Sequence, residues 1–143
     1  MKSALRSLFC AALLAGPAHA ADPVSLAKVA IAPDSFKGQT LTVDASLGMM
    51  VAQNLMSQCK RKEKAVIVMP PIVGGEMGAL STVMFQACVS TETALTLADV
   101  SGGTRLQVTG EVRVVRTMGV LTAIVFDGAT VAIGAPATAV PAP

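Results

Sequence analysis

The stretch from Arg105 to Ile133 constrains the fold more than any other part of the chain. Within Arg105 to Thr117, an extended backbone puts Leu106, Val108, Val112 and Val114 on one side. Arg105, Gln107, Thr109, Glu111 and Arg113 fall on the other. A period of two means a sheet with one buried face and one wet face. Met118-Gly119 and Asp127-Gly128 carry turn signals. The stretch therefore predicts an antiparallel meander of three strands, Arg105 to Thr117, Val120 to Phe126 and Thr130 to Ile133. Its apolar face needs a cover, which the preceding residues are expected to supply.

Two short apolar runs read as buried strands. One is Lys28 to Ala32, ended by Pro33-Asp34, and the other is Ala65 to Met69, closed by Pro70-Pro71. Between them, Ser35 to Val43 reads as a loop bending at Gly38. Asp44 is a good helix N-cap, and Leu47, Met50, Val51 and Leu55 recur at helical spacing. Ala45 to Gln58 is thus expected to be an amphipathic helix. A second helix is expected over Met77 to Val89, from Leu80, Met84 and Ala87-Cys88. Thr93 to Val100 fits either a short strand or a helix, and Ser101-Gly102-Gly103 reads as a turn. The order is strand, helix, strand, helix, meander. It predicts an α/β (α+β) domain in which two helices cover a mixed sheet.

The front of the chain looks like a secretory signal. Lys2 and Arg6 precede the apolar run Leu8 to Ala15, and Ala18-His19-Ala20 is a small-x-small cleavage site. The run is too short to span a bilayer. Cleavage after Ala20 leaves one domain over residues 21–134 and an Ala/Pro-rich tail, Ala135 to Pro143, expected to be disordered. A periplasmic or secreted location follows.

Removing residues 1–20 alters the chemistry available. Eleven basic residues fall to nine, against nine acidic ones, so the formal excess of +2 disappears. His19, the single histidine, leaves as well, and the chain has no Trp or Tyr. Without histidine there is no Ser-His or Cys-His nucleophile pair and no histidine-bearing zinc site. No catalytic residue, cofactor or resident metal is expected. Lys60, Arg61, Lys62 and Lys64 form one short basic run, read either as a patch for anionic lipid or nucleic acid or as a solvated helix end. A neutral chain without aromatics beside its cations favours the solvated end, so nucleic acid is not an expected partner. Gly74-Gly75-Glu76 could be an anion-binding turn or a flexible connection. The methionines at Met49, Met50, Met56, Met77 and Met84 suit either a soft binding face or adaptable core filler.

Cys59 and Cys88 are the cysteines left after export, because Cys10 lies in the apolar run. An even count in an oxidising compartment predicts a disulfide, with two buried thiols as the other reading.

The element order resembles the FlgO domain, and more loosely the TolB amino-terminal domain and the curli-secretion factor CsgG. The residues that carry the resemblance are Lys28-Val-Ala-Ile-Ala32, Ser46-Leu-Gly48, Val51-Ala52, Ser57, Val108-Thr-Gly110 and Gly119-Val-Leu-Thr-Ala123 with Asp127. It implies an exported, non-enzymatic envelope protein with an assembly role, FlgO itself being linked to the flagellum's outer-membrane ring. Envelope proteins are the implied partners, with peripheral membrane association and self-association as further options. The wet face carrying Arg105, Glu111 and Arg113, or an exposed sheet edge, is the expected contact surface. A local stretch, Ile31-Ala-Pro-Asp-Ser-Phe-Lys-Gly38, is similar to the start of the glycerate kinase family. Pro70, Gly74-Gly-Glu76, Val108-Thr-Gly110 and Asp127-Gly128 follow in that family's order. This second resemblance implies ATP-dependent phosphoryl transfer to glycerate, with Asp34, Ser35, Lys37 and Glu76 lining the substrate cleft.

Overall fold

The computed structural model describes residues 22–51, 57–71 and 83–134. The expected signal segment and tail, Glu76 with its two glycines, and the first part of the expected helix Met77 to Val89 lie outside the described residues.

The described elements are β1 (Val24–Ser25), α1 (Leu26–Ile31), α2 (Pro33–Phe36), β2 (Thr40–Val51), β3 (Lys64–Met69), β4 (Met84–Val89), α3 (Thr91–Ala98), β5 (Arg105–Thr117) and β6 (Val120–Ile133). The strands run in the order β1-β2-β3-β4-β6-β5, and β5 pairs back onto β2. That last pairing, Thr40↔Glu111 through Ser46↔Arg105, closes β2 to β6 into a five-stranded barrel. All barrel pairings are antiparallel except β4 with β6. A short strand, β1, lies parallel to β2 outside the ring. With α3 crossing between β4 and β5, the path is the five-stranded Greek-key barrel known as the OB fold.

Inward-facing residues alternate along each strand. Val43, Ala45 and Leu47 of β2 meet Val66 and Val68 of β3, Phe85, Ala87 and Val89 of β4, and Leu106, Val108 and Val112 of β5. Ile124 and Phe126 of β6 complete the ring, and Leu26, Val29, Ala94 and Leu97 add to the core from α1 and α3. Gly48 lets β2 turn from β5 to β3. A Cβ there would stand 2.8 Å from the Ile67 carbonyl oxygen, and the register shifts between Leu47 and Met50.

This barrel overturns the expected two-helix α/β arrangement, and each correction has a local cause. Lys28 to Ala32 falls mostly within helix α1, with Val29 buried and Ile31 82% exposed. A run of that length cannot be assigned by apolarity alone. Over Ala45 to Val51 the expected helix Ala45 to Gln58 is instead the second half of β2, and its residues 52–56 lie outside the described residues. Leu41, Val43, Ala45 and Leu47 alternate through the strand, and Asp44 caps nothing but pairs with Arg105 at 3.8 Å. The end of the expected helix Met77 to Val89 is β4. Both of its faces are covered, so its sequence shows no period of two. The meander is a hairpin: Val120 to Ile133 is one strand. Asp127-Gly128 makes a bulge where Gly128 and Ala129 face the single residue Gly110, with φ +56° at Gly128. Ala65 to Met69 is a strand and Arg105 to Thr117 is β5, both as expected. Thr93 to Val100, open between strand and helix, lies largely in α3, which Ser90 caps by accepting from the Thr93 N–H.

Candidate functional site

The outside of a closed barrel is normally wet, yet part of this one is buried. Cys88 of β4 and Ala123 and Val125 of β6 form a second apolar cluster, with Cys59, Met84 and Val115 against it. Segment 57–63 lies over this strip as a clasp. Cys59 and Cys88 are joined in a disulfide with Cα atoms 5.4 Å apart. The Gln58 N–H donates to Gln86 Oε1 at 3.1 Å, and Gln86 is fully buried on β4. Arg113 Nη2 donates to the Gln58 carbonyl at 2.6 Å.

Arg113 also binds Asp127 through two parallel bonds, Nε to Oδ2 at 2.7 Å and Nη2 to Oδ1 at 3.0 Å. The fork geometry suits a carboxylate. The hydrogen bond to Asp127 is the main cause that holds the Arg113 pKa above its ordinary value. Burial opposes it, and attraction to Asp127 and Glu63 adds to it. Glu63 closes the group with a buried Oε2 that accepts no hydrogen bond. Its carboxylate, the Asp127 carboxylate and Cys88 Sγ lie within 4.8 Å of one another. In the disulfide, Cys88 offers no thiolate, so the arrangement as it stands is an ion-paired clasp.

Arg105, Glu111 and Arg113 do share the outer face of β5, as expected, but the structure gives them different roles. Arg113 is committed to Asp127 and Gln58, and Arg105 lies 3.8 Å from Asp44. Glu111 is exposed. Residues 105–111 have no free edge, because β2 and β6 flank them. Of the residues similar to a kinase cleft, Asp34 and Ser35 sit on α2 and Lys37 follows it, all exposed. Asp34 Oδ2 is held by Arg116 Nη2 at 2.6 Å, and the Ser35 carbonyl accepts from Gln39 Nε2. Glu76 lies outside the described residues.

Beyond the ring, β5 and β6 continue as a two-stranded arm. Pairing of β5 with β2 ends at Glu111, pairing of β6 with β4 begins at Ala123, and Thr117↔Val120 is the last rung. Met118 and Gly119 turn the arm with φ +52° and +80°, a two-residue hairpin of the primed type. Met118 is 99% exposed and Val120 66%.

The sequence reading missed Asp127, Glu63 and Gln86. Asp127 looked like a turn residue, and Glu63 is hidden in a basic run. The Arg113–Asp127 pair was not legible either: from the Thr117↔Val120 rung an unbroken hairpin would set Arg113 against Ile124, and a register shift between Val115 and Arg116 sets it against Val125 instead, diagonally beside Asp127.

No helix among the described residues is long and apolar enough to cross a membrane. With the disulfide, this is compatible with a secreted or periplasmic protein. Compared with known proteins, the chain matches no family model and no curated sequence.

Proposed function

We propose that the chain is an exported, envelope-associated protein with a structural or assembly role, acting by surface contact. The observation that carries this reading is the Cys59–Cys88 clasp, because such bonds form and persist in oxidising compartments. Export is proposed to proceed with cleavage after Ala20. The contact surface proposed is the β5–β6 arm, in place of the wet face of β5, whose arginines are paired within the chain. The paired hairpin presents Met118 and Val120, whose exposed apolar area an envelope protein would cover.

OB-type barrels often bind oligonucleotides or oligosaccharides, and single-stranded nucleic acid is bound by stacking bases on exposed aromatics. Here Phe85 and Phe126 are spent in the core, Phe36 is half-buried against it, and the chain has no Trp or Tyr. A fold alone does not assign a ligand.

Site-specific photo-crosslinking in cells tests the reading. A crosslinker at position 118 is expected to capture a discrete envelope protein, whereas one at Lys37 captures none. Met118→Asp is expected to release the protein from the envelope fraction without lowering its melting temperature. Full retention of the Met118→Asp protein, or recovery of the wild type from the cytosol, would count against it.

A further inference from the structure

Three potential metal donors converge at the clasp, the sulfur of Cys88 and the carboxylates of Glu63 and Asp127, and the Cys59 sulfur is bonded to the first of them. We propose that reduction of the Cys59–Cys88 bond turns the clasp into a site for one divalent cation of the zinc class.

Charge leads to this choice. In the oxidised clasp the two carboxylates and the Arg113 guanidinium carry a net −1, and the disulfide adds nothing. Two thiolates in its place would bring the group to −3 on a half-buried surface, which low-dielectric surroundings disfavour. One divalent cation restores −1. The donor set then selects among cations. Two thiolates with two carboxylate oxygens suit a borderline-soft tetrahedral ion such as zinc, and they suit calcium or magnesium poorly.

The geometry asks for little movement. Zn–S bonds of about 2.3 Å at tetrahedral angles set the two sulfurs about 3.8 Å apart. The backbone holds the two Cα atoms 5.4 Å apart, a span from which side-chain rotation can part the sulfurs, and Cys59, on the clasp segment, is the more exposed partner. Glu63, whose carboxylate lies in the group, already has its Oε2 buried without a hydrogen bond, a cost that a cation would relieve. Asp127 keeps lone pairs beyond the two that Arg113 occupies.

The reductant is a dithiol, whether a protein oxidoreductase or a small molecule. Its thiolate attacks Cys59 Sγ, because Cys88 is fully buried. The S–S bond breaks and Cys88 Sγ leaves with the electron pair. The second thiol of the dithiol then displaces Cys59 and the reductant departs as its own disulfide, two electrons poorer. Binding of the cation releases any protons held by the two protein thiols.

The full chain, purified oxidised and after reduction with dithiothreitol followed by anaerobic desalting, is titrated with zinc against a chromophoric chelator. Cobalt(II) serves as the spectroscopic probe. The reduced chain is expected to take one zinc, with a tetrahedral cobalt spectrum and thiolate charge-transfer bands, and the oxidised chain none at that affinity. Glu63→Gln is expected to weaken binding at least about tenfold. Circular dichroism follows the barrel throughout. Equal binding in both redox states, no binding after reduction, or zinc uptake indifferent to Glu63→Gln would overturn the site. The last result would describe a loose dithiol instead.

Discussion

At the scale of single residues, close contacts and ion pairs decide what can be changed. Gly48 has backbone where its Cβ would go, so Gly48→Ala must push β2 from β3. A loss of about 1–3 kcal/mol is expected, the usual cost of forcing extra volume into a packed position, read as a lower midpoint in urea. The two arginines of β5 should differ. Arg105 sits at 3.8 Å from a half-exposed Asp44, and pairs of that kind contribute about 0–1 kcal/mol. Arg113 makes two short bonds to Asp127 and a third to the Gln58 carbonyl. Arg113→Ala should therefore cost more than Arg105→Ala in the same denaturant titration, and a reversed order would contradict the role given to Arg113.

At the scale of elements, legibility followed burial. β5 showed its period of two because one face is wet, and its bounds were legible to the residue. β4 showed none, because the clasp covers its outer face as the core covers its inner one. β2 carried an alternating pattern from Thr40 to Leu47, but Asp44 imitated a helix cap and the methionines after Gly48 extended a false helical spacing. Asp127-Gly128 carries the signal of a hairpin turn, but it is a bulge within one strand. The pairing of Cys59 with Cys88 was legible from the count of cysteines. Its ion-paired surroundings were not, since Glu63, Gln86 and Asp127 come from three separate parts of the chain. The disulfide spans 29 residues, so the double variant Cys59→Ser with Cys88→Ser should lose roughly 3–4 kcal/mol in the chain-entropy picture. Calorimetry would show this as a lower melting temperature with one cooperative transition retained.

At the scale of the whole molecule, a closed barrel leaves few places where contact can begin. The ring removes the edge of residues 105–111 that an open sheet would have offered, and the arm beyond it presents apolar side chains instead. The clasp ties the outer surface to a redox state, and an intact disulfide is compatible with a secreted or periplasmic protein. Intact-mass spectrometry of the protein recovered from cells, alkylated without reduction, tests this link most directly. The expected result is a chain beginning at Ala21, with Cys59 and Cys88 unalkylated until a reductant is added. A chain beginning at Met1 with both of those thiols alkylated at once would contradict it.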